Sequence, residues 1–218
     1  MKFISAWLLL ALGSSFAQRV TFDRQREGSP GRDWTIAMTH DGGAPTWQII
    51  ADPSAPSKPN VIAQTSTDNT SGRFPLAIYE RSVVMNGAVS VSFKPVSGER
   101  DQAAGIVWRY KDPDNYYIVR ANALEDNVVL YKVEGGKRIS LEPKGTPSKT
   151  YGVKHKVPKQ TWSTLRVEFQ GPRFAVFINA NRIMEVEDTT FSSGGKTGLW
   201  TKADSVTYFD DFRVEKRK

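Results

Sequence analysis

From Val20 onward the chain has almost no ten-residue window with apolar residues spaced three, four and seven apart. Instead it repeats short runs that alternate apolar and polar side chains and stop at Gly, Pro, Asn or Asp. A period of two places alternate residues on opposite faces of a strand, so each run can bury one face and wet the other. Twelve strands are expected, at 46–50, 61–65, 76–79, 89–95, 104–110, 116–122, 128–134, 164–170, 173–179, 182–187, 197–200 and 206–214. With hairpin-length connections, that number points to two packed antiparallel sheets, a sandwich or jelly roll, rather than a parallel sheet with crossover helices. The Pro- and Ser-rich stretch 51–60 reads as a surface loop, and there is no internal repeat.

One hairpin carries the register argument. Asp112-Pro113-Asp114-Asn115 is a turn, and pairing Lys111 with Tyr116 places Ile106, Trp108, Tyr110, Tyr117, Val119 and Ala121 on an apolar face. The opposite face then carries Val107, Arg109, Lys111, Tyr116, Ile118, Arg120 and Asn122. Asn127 and Tyr131 join that face if Asn122 pairs with Asn127 across 123–126. Trp200 and Lys202 alternate together farther on, with Asp204 following. Aromatic rings cover the apolar side of a sugar while Arg, Asn and Asp make directional hydrogen bonds to its hydroxyls. The expected ligand site is therefore Arg109, Tyr116, Arg120, Asn122, Asn127, Tyr131, Trp200, Lys202 and Asp204, with Arg109 and Arg120 side by side. For each of them a structural polar network is the competing role. The turns at Gly135-Gly136 and Asn179 to Asn181 are of hairpin type, the second closing Phe174, Val176 and Ile178 against Ile183, Glu185 and Glu187 or their register neighbours.

The first seventeen residues read differently. Lys2 precedes an apolar run at 6–12, and Ser15-Phe16-Ala17 makes a small-x-small cleavage signal before Gln18, the layout of a secretory signal peptide. The run breaks at Gly13-Ser14-Ser15, short of the roughly 20 apolar residues of a spanning helix. The expectation is a signal peptide at 1–17 and one β-sandwich domain at 18–218, periplasmic or extracellular, without a transmembrane segment in the mature protein. The chain has no cysteine, so disulfides, thiol nucleophiles and Cys-based zinc sites are excluded, and His40 and His155 are its two histidines. Its net charge of +7 is scattered except at the tail Glu215-Lys216-Arg217-Lys218. That distribution argues against nucleic acid and suits association with an anionic envelope surface.

The strings GIVWRYKDPDNYYIVRANALEDNVVLYKVEGGKR (105–138) and GLWTKADSVTYFDDFRV (198–214) resemble the concanavalin A-like jelly rolls. Among these they are similar to the bacterial secreted laminin G-like domains grouped with the 3-keto-disaccharide hydrolases, also labelled family 16 glycoside hydrolase-like. The resemblance covers most of the chain after the leader. It implies a sandwich of two curved sheets with a concave polar face and a carbohydrate-related role; hydrolysis of a 3-keto or ordinary disaccharide and laminin G-like protein recognition are the alternatives.

Catalytic residues are harder to find. True family 16 glycosidases carry Glu-x-Asp-x-Glu on a strand, and the nearest string here, Glu185-Val186-Glu187-Asp188, lacks the middle acid and reads as an exposed strand face. Both histidines fall in expected loops and no Gly-x-Ser-x-Gly elbow exists, which removes a Ser-His-Asp triad. Asp204, Asp126 and Glu125 are the candidate acids or bases, but spacing pairs no two of them, so the expectation leans towards a binding protein. No organic cofactor is expected. Jelly rolls of this general type often hold a structural calcium, for which Asp23, Asp210 and Asp211 are the candidate ligands, against a role for the pair as loop-binding carboxylates.

Overall fold

The computed structural model describes residues 16–217. Sixteen strands follow in chain order: β1 Phe16–Val20, β2 Trp34–Thr39, β3 Trp47–Ala51, β4 Asn60–Gln64, β5 Phe74–Val84, β6 Asn86–Ser97, β7 Ala103–Asp112, β8 Asn115–Asn122, β9 Asn127–Glu134, β10 Lys137–Ser140, β11 Val153–Lys154, β12 Ser163–Gln170, β13 Arg173–Ile178, β14 Asn181–Glu187, β15 Gly195–Trp200 and β16 Val206–Arg217. All twelve expected strands are present. β1, β2, β10 and β11 are additional. The proposed leader at 1–17 lies, apart from Phe16 and Ala17, outside the described residues.

Two eight-stranded antiparallel sheets result. The first runs β14-β13-β12-β6-β16-β4-β3 with β1 beside β16, and the second runs β10-β9-β8-β7-β15-β5-β2 with β11 beside β9. Between them lies the main core, where alternate residues of facing strands meet. Trp108 stacks on Tyr117 at 5.4 Å and meets Phe174 edge-on at the same distance, while Trp34 packs against Tyr79 and Phe212. Burying such rings is a large favourable contribution to this fold.

A second apolar cluster occupies the outer face of the second sheet. Phe74, Leu76, Ile78, Val107, Tyr116, Ile118, Val129, Tyr131, Val133 and Trp200 are all buried there. β5, β8 and β9 are therefore covered on both faces, which explains their nearly unbroken apolar runs. The sequence places polar groups across the middle of this face. In the structure the middle is apolar, and the polar groups gather at one end.

The β7–β8 hairpin contains the register detail that matters most. Asp112 pairs with Asn115, as the expected register requires, but Trp108 pairs with Tyr117 and Ile106 with Val119. A bulge takes up the two-residue difference. Arg109 sits at its centre in the left-handed region, φ 49°, so Trp108 and Arg109 both turn inward and Tyr110 turns outward. From Tyr116 to Asn122 the face assignment matches the sequence reading, and Asn122 pairs with Asn127. In the β13–β14 hairpin Val176 pairs with Met184 and Phe174 with Val186, the register neighbours of the residues named from sequence.

Candidate functional site

Arg120 organises the polar end of the second sheet's outer face. Antiparallel pairing sets it between Gly105 of β7 and Val129 of β9, and Gly105 in turn pairs with Trp200 of β15. A Cβ at Gly105 would strike Ile118 and the Val119 carbonyl and lie 3.3 Å from the Trp200 Cβ. That glycine is what lets Trp200 and Arg120 flank a flat strand.

The Arg120 guanidinium is fully buried and grips Glu125 through two parallel bonds, Nη1 to Oε1 at 2.9 Å and Nη2 to Oε2 at 2.8 Å, with Asn127 Oδ1 at 2.7 Å from Nη2. Asn127 Nδ2 donates to the same Glu125 oxygen that Nη2 reaches, at 2.9 Å. Asn122 Nδ2 donates to Glu125 Oε1 at 3.1 Å and to Asp101 Oδ1 at 2.8 Å. Lys202 Nζ donates to the other Asp101 oxygen at 2.7 Å. The connection 123–126 is shaped for this: the Asn122 side chain accepts the Leu124 N–H at 2.9 Å, and Asp126 adopts φ 47°.

Electrostatics follow from the packing. Burial disfavours the Glu125 carboxylate, but the Arg120 guanidinium, Asn127 and Lys202 outweigh it and hold the group down at about 2. Glu125 is therefore ionised across the physiological range, and 38 % of its side chain meets solvent. Asp204 is also held below its usual value against the effect of burial, because it accepts backbone N–H bonds from Glu99, Arg100 and Asp101 at 2.7 to 3.0 Å. Asp126, half-buried, is lowered by Lys156 and the Val157 N–H. Burial raises Tyr131. Its hydroxyl bonds to that of Tyr151, a residue half exposed at the surface.

Of the nine expected ligand residues, the structure brings Arg120, Asn122, Asn127, Tyr131, Trp200 and Lys202 onto this face, with Lys202 linked to the network through Asp101. Tyr116 and Trp200 are floor residues, fully buried, the former bonded to Thr39 Oγ1 at 2.7 Å. Asp204 is a loop cap. Arg109 does not stand beside Arg120: it points between the sheets, donating to the carbonyls of Phe191 at 2.6 Å, Gly171 at 2.7 Å and Met85 at 3.1 Å. Its guanidinium lies over Phe169 and Phe174, 5.9 and 5.6 Å from their centroids. The bulge that reverses its direction has no signature in the sequence.

Four contributors are not among the expected ligand residues, and one of them, Glu125, is expected from sequence only as a candidate acid or base. Asp101 precedes β7 in a loop that gives no pattern to read. Tyr151 comes from the irregular stretch after β10. Arg138 was within reach, because a two-residue turn at Gly135 and Gly136, both at positive φ, pairs it with Val133 and so places it on the Val133 face.

Elsewhere, Glu185 and Glu187 line a cleft of ≈ 290 Å³ with Glu168, Lys144 and Arg173. Each is in an ion pair, Glu187 with Lys144 and Arg173, Glu185 with Arg182. The three proposed calcium ligands do not make a cage. Asp210 accepts from the Ser57 N–H and hydroxyl and the Asp211 N–H, and Asp211 pairs with Arg19 and Arg213. Among the described residues no three carboxylate or imidazole groups converge as metal ligands.

No family model and no curated protein sequence matches the chain. Solved structures do. The carbohydrate-binding module CBM66 from Bacillus subtilis superposes with a TM-score of 0.61 at 19 % identity, covering 83 % of this chain and 94 % of that one. Domain 4 of AbnA, an extracellular arabinanase from Geobacillus stearothermophilus solved with arabinotriose, gives 0.55 at 14 % identity over 91 % of each chain. A galactohydrolase acting on a sulfated, anhydrogalactose-containing galactan gives 0.57 at 11 % identity over 98 % of this chain and 100 % of that one. At such identities the likeness is one of fold, and in fold this chain is a two-sheet, concanavalin A-like β-sandwich.

Proposed function

We propose that this protein is an exported glycan-binding sandwich whose ligand meets the polar end of the second sheet's outer face. The observation that carries the proposal is the Arg120 network: buried Arg120, Asn122, Asn127 and Asp101 fix Glu125 and Lys202 at the solvent boundary beside the Tyr131–Tyr151 pair. Oriented polar groups next to rings, held without freedom to lose on binding, are what sugar recognition requires. The carbohydrate-binding module and the arabinotriose-bound domain among the structural neighbours support the same class of ligand. Export rests on the leader-like sequence at 1–17; cleavage after Ala17 would remove the first two residues of β1 and leave Gln18, Arg19 and Val20 paired with Val214, Arg213 and Phe212.

Hydrolysis of a 3-keto disaccharide, as the family resemblance implies, is the less favoured role. A glycosidase needs a carboxyl ready to give a proton near neutral pH, whereas Glu125, Asp126 and Asp204 are all held below their ordinary values. A protein-recognition face would expose a dry apolar centre, but the apolar residues in the middle of this face, Tyr116, Ile118, Val129 and Trp200, are themselves buried.

Calorimetric titration of the purified protein against arabinan, dextran, polygalacturonate and a sulfated galactan tests the proposal. Binding to at least one, weakened by Tyr151→Ala and by Glu125→Gln with the sandwich intact by circular dichroism, is the expected outcome. No heat with any of the four polymers would reject it, and so would binding that neither substitution changes.

A further inference from the structure

The same face carries a cation that nothing among the described residues neutralises. Arg138, on the four-residue edge strand β10, lies over three rings: its guanidinium carbon is 4.5 Å from the Tyr131 centroid, 4.8 Å from Phe74 and 5.9 Å from Trp200. Facing aromatic rings attract and orient a guanidinium, but they do not cancel its charge. Among the described residues Arg138 has no ion pair and no hydrogen-bond partner, and its Nη1 is buried with no acceptor. The residue as a whole is only half-buried, so the fork of donors is fixed on one side and open on the other.

The inventory around it is unbalanced in the same sense. Glu125 already accepts from Arg120, Asn122 and Asn127, and Asp101 accepts from Asn122 and Lys202. The nearby donors Arg120 Nε and Trp200 Nε1 are, like Arg138 Nη1, buried without an acceptor. The face has donors to spare, while each Glu125 oxygen is already bonded twice. A ligand that completes it must bring acceptors, and an anionic group does so while neutralising Arg138.

We infer that the site selects anionic glycans, with Arg138 receiving a carboxylate or sulfate on the sugar. The inference rests on the glycan-binding reading and adds the class of ligand. A planar fork backed by rings favours bidentate oxyanions, for which a lysine is a poor substitute.

Two acidic polymers separate the sources of the anion: polygalacturonate presents carboxylates and a sulfated galactan presents sulfates, while dextran is the neutral reference. The wild-type protein should bind one or both acidic polymers at least about tenfold more tightly than dextran, with affinity falling as salt rises. Arg138→Gln should remove that preference, and Arg138→Lys should restore only part of it. Arg32→Gln, an exposed charge in the β1–β2 connection, should leave it unchanged. Thermal melts of each variant show whether the sandwich is intact.

If dextran or arabinan binds as well as the acidic polymers, the inference is overturned and glycan binding stands. If Arg32→Gln weakens acidic binding as much as Arg138→Gln does, the preference comes from net charge and the inference is again overturned. If no polymer of either kind binds, the glycan-binding reading itself has failed.

Discussion

Arg120 and Arg109 are two fully buried arginines in one hairpin, and they compensate their charge in different ways. Arg120 has a carboxylate and an amide, whereas Arg109 has three carbonyls and two ring faces and no acid. Removing either strands its partners in a dry environment. Arg120→Met should cost about 3–5 kcal/mol, roughly 10 °C in Tm, measured by thermal unfolding. Tyr151→Ala, at a half-exposed ring, should move Tm far less while weakening glycan binding. Glu125 adds a pH signature. Its folded value lies below its unfolded one, so the stability it contributes is present above the unfolded value and is lost as pH falls towards about 2. Denaturant melts across that acid range should show a steep loss in the wild type and a shallower one in Glu125→Gln. The direction of Arg120 could be read from alternation alone. That of Arg109 could not, because any residue type can be forced into a bulge and nothing about an arginine announces φ 49°.

Elements were legible where their period was uninterrupted. β8 and β9 follow alternation from end to end, and the Asn122–Asn127 pairing follows from the length of the turn between them. The missed strands β10 and β11 have four and two residues, too short for a period to emerge. Missing the second apolar cluster has another cause: alternation separates the two faces of a strand but does not say whether the outer one is covered. Val107, Ile118 and Val129 show that it is. Gly105 is the element-scale residue to test, being the point where β7 passes between Trp200 and Arg120. Gly105→Ala should destabilise by about 1–3 kcal/mol through overpacking against backbone. An equilibrium urea titration measures it, and a neutral result would mean that β7 can shift on the sheet.

At the scale of the whole molecule, six of the seven tyrosines are raised above their ordinary value, each chiefly by burial, with Tyr110 at about 12. Folded values above unfolded ones give stability that is complete below about 10 and lost as pH climbs beyond it. Absorbance of ionised phenol should therefore appear in one cooperative step, together with loss of ellipticity, rather than as separate titrations. Early ionisation of most tyrosines in an intact fold would show the two cores to be wetter than described. β16 gives the molecule one more property. It is the last of the sixteen strands in chain order, and it pairs with β6, β4 and β1, so the first sheet has no centre until β16 has been made. Such distant pairings close slowly. The two halves of that sheet consequently stay unjoined until β16 arrives between β6 and β4, and a chain cut before Val206 would keep all its other strands and still lack a sandwich.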